Sequence, residues 1–328
     1  MIRNVFNRAM MSDAGISLAR EYLLVAPDGT YSAASISGCN TRKYHGLIVS
    51  PGQNAGSEYD VILSALDETL YTATGAYNLA THRYAGRYYQ EGYRFIQEFT
   101  ANPVPQWSFS VGGVLLQKDL LFDAGNGHLM IRYRLDTASG PVRLRLMPLL
   151  AFRNAHWLSC ANNMIDATTR KVRGGIVIAP YQGYRPFYMQ LSDEGTFTSW
   201  PEWYYHFEYA WEEERGYGCQ EDLFTPGYFE ITLQPGTAVV FTAGFRDGTA
   251  AVGNSDFETV LARQPVFYGM EACLRNAAKQ FIVELPDKAA IRAGFFGLAP
   301  GGAIPASPCR ALRCLQGISG FLKKLLMR

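Results

Sequence analysis

Two short stretches carry most of the residues able to do chemistry in this 328-residue chain. The first, residues 37–49, places Asn40, Thr41, Arg42, Lys43, Tyr44 and His45 between two apolar runs that both read as buried strands. Amide, guanidinium and imidazole groups are planar hydrogen-bonding groups suited to sugar hydroxyls. They suit the polar rim of an interdomain contact equally well. The alternatives are a surface turn whose polar groups satisfy their own backbone, or a site for a polyhydroxylated ligand or a neighbouring domain. The second stretch, residues 200–209, gathers Trp200, Trp203, Tyr204, Tyr205, His206 and Tyr209 beside Glu202 and Glu208. Period-2 alternation predicts Trp203, Tyr205, Phe207 and Tyr209 on a packed face. It leaves Tyr204, His206 and Glu208 on the other, open to a partner. The candidate contact residues are therefore Asn40, Thr41, Arg42, Tyr44, His45, Trp203, Tyr204, His206 and Glu208.

Other chemistries lack their residue patterns. Glycoside hydrolysis needs two carboxyl groups across the scissile bond, one with a raised pKa. Asp67, Glu68, Glu202, Glu208, Glu221 and Asp222 show no spacing that marks such a pair, and the run Glu212, Glu213, Glu214 reads as a solvated face. The five histidines, at 45, 82, 128, 156 and 206, are scattered, with no H-E-x-x-H motif and no nucleophile elbow. Cysteines at 39, 160, 219 and 273 have neither zinc nor C-x-x-C spacing, and the remaining two follow at 309 and 314. The expectation is no catalytic residue, no metal, no cofactor, and free thiols in a reducing compartment.

A net charge of +1 gives no sign of a nucleic-acid partner. The N-terminal residues lack the apolar core of a signal peptide, and no run approaches the ~20 apolar residues of a membrane span. A soluble, cytoplasmic protein without membrane contact is expected.

The elements that must position these residues read as strand after strand from 21 to about 250. Residues 59–64, 93–99, 107–111, 128–135 and 142–149 alternate in the manner of half-buried strands. Further strands are predicted at 171–173, 175–179, 187–191, 228–233 and 238–243. Gly112-Gly113 signals a two-residue hairpin, and residues 124–127 another tight turn. Tyr 20, Phe 19 and Trp 5 fit aromatic-rich β structure. Residues 1–20 read as a short helix or loose arm. Near 254 the pattern changes to helical spacing over 255–263 and 268–283.

Several blocks together carry a family resemblance. Glu21-Tyr22-Leu23-Leu24, then residues 37–47, then 63–69, 92–95, 105–107, 147–153, 203–209, 212–216 and 221–227 follow one another in order. In these blocks the chain resembles the N-terminal domain of bacterial and archaeal glycogen debranching enzymes of the amylo-α-1,6-glucosidase type. The resemblance implies a mainly β fold, a large galactose-mutarotase-like super-sandwich over 21–253, with a short helical linker over 254–295. It implies a non-catalytic role in α-glucan breakdown, the catalytic carboxyls lying in a separate α/α barrel. Implied partners are that barrel and glycogen. Readings of another class are a free-standing α-glucan-binding module and an inert remnant.

Beyond Phe296 the chain departs from the family. Back-translated with synonymous codons and read in a shifted frame, this stretch gives W-F-G-A-W-G-R-D-T-x-I-A-L-P-G. That is similar to the family's sequence at the mouth of its barrel. The expectation is an out-of-frame tail over 296–328 and a catalytic domain lost with it.

Overall fold

Burial along the strand Val142–Asn154 alternates over its first half and then becomes continuous from Pro148 to Arg153. Its neighbour Tyr59–Thr72 does the same in reverse, buried without break from Asp60 to Leu66. Side chains of a strand point alternately to the two faces of its sheet, so unbroken burial means that both faces are covered there. The molecule is organised around that patch.

The computed structural model describes residues 5–53, 57–125, 127–192, 195–246, 253–280, 282–285, 288–291 and 304–306. Within them, two large antiparallel sheets pack face to face as a β super-sandwich. One has nine strands in the order Val5–Asn7, Ile96–Thr100, Gln106–Val111, Val114–Asp123, His128–Thr137, Ala238–Gly244, Phe187–Leu191, Gly175–Ile178 and Thr169–Val172. The other runs Thr196–Glu208, Gln220–Leu233, Val142–Asn154, Tyr59–Thr72, Gly46–Pro51, Tyr31–Ser35 and Glu21–Val25, with Gly75–Asn78 as an eighth strand paired to Tyr59–Thr72. Between the sheets lies an apolar core that includes Leu70, Leu116, Leu120, Ile131, Leu144, Leu146 and Phe241.

Polar groups inside that core are paired across the two sheets, as burial demands. Glu68 accepts from Lys118 Nζ and from Tyr133 OH at 2.6 Å. Trp107 Nε1 donates to the Ile36 carbonyl at 2.7 Å, with the Lys118 ammonium 5.3 Å from the indole ring. The outer face of the nine-stranded sheet is capped by the helix Asn254–Ala262. It seats Phe257, fully buried, among Val104, Leu121, Met130 and Val240. Arg132 clamps the same helix, pairing with Asp119 at 2.6 Å and with Glu258, its guanidinium 4.4 Å from the Phe257 ring.

Local geometry matches the turn chemistry. Gly112 and Gly113 both take positive φ, 58° and 77°, between the paired residues Val111 and Val114. Two glycines supply the left-handed pair that a type I′ hairpin needs. The predicted strand 93–99 is different: Gly92–Phe95 is a turn of 3-10 helix and the strand is Ile96–Thr100. Gly92 lies so close to the chain at Leu79 that a Cβ would meet its carbonyl oxygen at 2.0 Å, and Glu91 is left-handed at φ 39°. That close approach turns the backbone before it can extend.

At the N-terminus, Val5–Asn7 pairs with Ile96–Thr100, and the helix Arg8–Ser12 buries Met11. At the other end, helical spacing over 268–283 yields a helix only at Met270–Lys279. Ile282–Leu285, Lys288–Ile291 and Ile304–Ala306 form a small antiparallel sheet. The β-branched pair Ile282-Val283 favours extended backbone there. Apart from 304–306, the stretch read as out of frame lies outside the described residues.

Candidate functional site

The doubly covered patch has a charged centre. Arg153, at the end of Val142–Asn154, and Glu221, at the start of Gln220–Leu233, form a bidentate ion pair, with Nη2 to Oε2 at 2.9 Å and Nε on Oε1. Their side chains are 6% and 0% exposed. Burial alone would weaken the guanidinium's hold on its proton, but Glu221 and Tyr209 raise its pKa above the ordinary value. Glu221 also accepts from Tyr209 OH and from the Ser159 backbone and hydroxyl at 3.0 and 2.9 Å. Burial, then the Glu221 charge, pushes the Tyr209 phenol well above its usual range. Arg153 Nη2 also donates to the Lys43 carbonyl at 2.7 Å, which ties this centre to the turn above it.

That turn is built inward. Asn40 donates to the Ser64 carbonyl at 3.0 Å and its hydroxyl at 3.1 Å. Thr41 is buried, and its carbonyl accepts from Trp211 N at 3.0 Å. Thr41 N donates to His45 Nδ1 at 3.1 Å, which leaves the proton of a neutral ring on Nε2, 3.5 Å from Glu21 Oε1. His45 is completely buried, and desolvation lowers its pKa despite Glu21. Arg42 Nε donates to Glu21 Oε1 at 2.6 Å, and its guanidinium lies 5.2 Å from the Trp211 ring. Burial would raise the Glu21 carboxyl, but His45 and Arg42 overcome it and hold it below the usual carboxylate range. Tyr44 is buried; its OH meets His156 Nδ1 at 3.0 Å and its carbonyl accepts from Tyr31 OH.

The second cluster departs from simple alternation. The pairing register shifts between Tyr204 and Phe207, and His206 takes φ 61°. This bulge rotates the strand, as an inserted residue does. Tyr205 is 52% exposed instead of packed, and Glu208 is buried instead of open. Glu208 accepts from Gly86 N at 2.6 Å and Gln220 Nε2 at 3.2 Å. His206 is exposed, its backbone N–H bonded to Asp222 Oδ1 at 2.9 Å. Trp203 packs against the inter-sheet core, its ring 5.4 Å from Phe224, whereas Tyr204 joins the outer patch with Tyr44 and Phe207. Trp203 and Tyr204 therefore serve opposite faces; Tyr204 shares the outer patch with Tyr44, whereas Glu208 is bonded to Gly86 and Gln220 and His206 to Asp222.

Around this base runs a belt of exposed rings. Trp157 is 72% exposed, Tyr217 63% and Tyr205 52%. Lys43 Nζ stands 5.3 Å from the Tyr44 ring and 5.9 Å from that of Tyr217. Asp222 joins Trp157's loop to Tyr205's strand, accepting from Ala161 N and His206 N at 2.9 Å each. Sequence reasoning missed Arg153, Glu221, Trp157 and Tyr217 as members of the site. Arg153 did leave a signal: it closes the uninterrupted apolar run 147–152, and a charge placed there requires a buried partner.

The carboxylates of the region are held by neighbours within the domain. Asp67 takes His82 Nε2 at 2.8 and 2.9 Å. Glu21, Glu68, Glu208 and Glu221 are bonded as described above. Among the described residues, no group of three or more His, Cys, Asp or Glu side chains could hold a metal ion. None of their helices is long and apolar enough to cross a membrane.

The family model for the N-terminal region of glycogen debranching enzyme matches residues 20–240, and the chain belongs to that family. No curated protein matches it. Among solved structures, a bacterial glucoamylase complexed with acarbose is similar at 8% identity and a TM-score of 0.33. The likeness covers 74% of this chain and 33% of the glucoamylase chain.

Proposed function

We propose that this chain is the non-catalytic β-domain of a glycogen-debranching system, and that its ring belt faces a catalytic α/α-barrel domain. The observation that carries the reading is the exposure of Trp157, Tyr205 and Tyr217 over a base locked by the Arg153–Glu221 pair. Interfaces select exposed aromatic residues on rigid supports. The commitment of Glu21, Asp67, Glu68, Glu208 and Glu221 to donors within the domain supports a structural role for them. Free thiols at Cys39, Cys160, Cys219 and Cys273 support a reducing, cytoplasmic setting.

The purified chain should release no glucose from glycogen limit dextrin. A measurable yield from homogeneous protein, abolished by a substitution within residues 20–240, overturns the non-catalytic reading. A second reading, an α-glucan-binding module, draws on the same exposed rings, since sugar faces stack on aromatic side chains. Retention on immobilised glycogen without any barrel domain present favours it.

A further inference from the structure

Among the described residues, the outer edges of the two large sheets are not alike. Val5–Asn7 ends the nine-stranded sheet with only three residues, and Thr169–Val172 ends it with the exposed pair Arg170 and Lys171. Thr196–Glu208 ends the eight-stranded sheet with Pro201 and two breaks in register. Shortness, charge, proline and bulges are the devices that keep an edge from pairing with another chain. The remaining edge, Glu21–Val25, lacks them. It holds no lysine or proline, its register with Tyr31–Ser35 runs unbroken, and the Glu21 carboxylate is tied to Arg42.

Backbone groups along this edge point outward. Ile36 N donates to the Arg20 carbonyl and Ala26 N to the Thr30 carbonyl, each at 2.8 Å. Hydrogen-bonded positions of an antiparallel pair alternate with outward ones, so Tyr22 and Leu24 also bond to Tyr31–Ser35. The N–H and C=O groups of Glu21, Leu23 and Val25 therefore face away from the sheet. They have no hydrogen-bond partner among the described residues, and all three residues are partly exposed. A cleft of about 550 Å³ lies along the start of this edge. It takes in the consecutive residues Glu21, Tyr22 and Leu23, whose side chains point to alternate faces, so it follows the edge and not one face of the sheet. Half-buried Phe6 and Phe267 and the helix residue Ala277 line it as well. Arg20, exposed at the head of the strand, has no ion-pair partner among the described residues.

We propose that Glu21–Val25 is a docking edge for an extended segment of a partner protein, which adds to the eight-stranded sheet as a further antiparallel strand. Antiparallel pairing is the more stable sense. Main-chain bonds to Glu21, Leu23 and Val25 supply the affinity, and alternate side chains of the added strand supply the selectivity. Apolar side chains suit the walls at Phe6 and Phe267, and a carboxylate at the C-terminal end of the segment meets Arg20. The edge shares no residue with the ring belt, so this inference stands or falls separately from the interface reading.

The probe is the peptide acetyl-Val-Thr-Val-Thr-Val-Glu-amide, titrated calorimetrically into the full chain, with hydrogen exchange followed at single amides. In the free chain the Leu23 and Val25 amides should exchange fast and the Tyr22 and Leu24 amides slowly. Saturable binding is expected, slowing exchange at Leu23 and Val25 at least about tenfold. Leu23→Pro removes an outward N–H and leaves the bonds to Tyr31–Ser35 in place, so it should weaken binding at least about tenfold. Arg20→Glu should weaken binding too, and protected Tyr22 and Leu24 amides show that each variant keeps its fold. Absence of saturable binding into the millimolar range overturns the inference, as does binding indifferent to both substitutions. Slow exchange at Leu23 and Val25 in the free monomer would mean that the chain covers its own edge, and also overturns it. A dimer of the free chain that Leu23→Pro dissociates would assign the edge to a second copy, with the same consequence.

Discussion

Arg153 and Glu221 meet as a bidentate ion pair at the ends of adjacent strands, under the turn that carries Lys43. A buried pair adds little compared with well-packed apolar residues, but removing one partner strands the other charge, at a cost of about 3–5 kcal/mol. Glu221→Gln should therefore lower the unfolding free energy by about that amount. The double change Arg153→Met with Glu221→Leu should recover part of it. Urea unfolding of the three proteins checks this; a loss under about 1 kcal/mol for Glu221→Gln would show that the pair does not organise the patch.

Acid should loosen the same region. His45 has its pKa lowered in the folded state, so below its ordinary value of 6.5 the unfolded chain takes up a proton that the folded chain refuses. Glu21, also lowered, adds stability that is present above its ordinary 4.5 and is lost as pH falls through its folded value. Both effects make stability fall with acidification, first below about pH 6.5 and then again below about pH 4.5. His45→Gln keeps an acceptor for Thr41 N and removes the upper step. If wild type and His45→Gln show the same dependence of melting temperature on pH between 5 and 7, the account of His45 is wrong.

The helix Asn254–Ala262 is anchored chiefly by Phe257, which is fully buried against the outer face of the nine-stranded sheet. Phe257→Ala should cost about 3–5 kcal/mol, the range for emptying a buried aromatic site. Hydrogen exchange should show the Asn254–Ala262 amides losing protection first. An unfolding midpoint equal to that of the parent would mean that the helix is not part of the cooperative fold.

Much of the sandwich was legible in the sequence. Strands such as His128–Thr137 and Ala238–Gly244 lie where alternation and apolar runs put them. The Gly112-Gly113 hairpin follows from glycine's freedom at positive φ. The site was half legible. Residues 40–45 stood out by composition, but composition cannot tell a polar cluster facing solvent from one locked inward by Ser64, Glu21 and Arg153. The bulge at His206 was invisible because no glycine or proline marks it, and one extra residue there exchanged the fates of Tyr205 and Glu208. The runs at 61–66, apolar but for Ser64, and at 147–152, apolar throughout, were the overlooked clue, since a strand with one wet face would have alternated.

The interface reading is tested most directly by association with a catalytic domain. Trp157 and Tyr217 are exposed, whereas Arg42 is tied to Glu21 and stacked near Trp211, so the rings are the handles to remove. The full chain and its Trp157→Ser, Tyr217→Ser double variant are each titrated with a separately produced catalytic domain of a glycogen debranching enzyme, and passed in parallel over immobilised glycogen. The account predicts a complex with the parent chain, weakened by about 2 kcal/mol or more in the double variant, with melting temperatures that agree within a degree or two. Glycogen retention that vanishes with the two rings, and no complex with the catalytic domain in either protein, would contradict it.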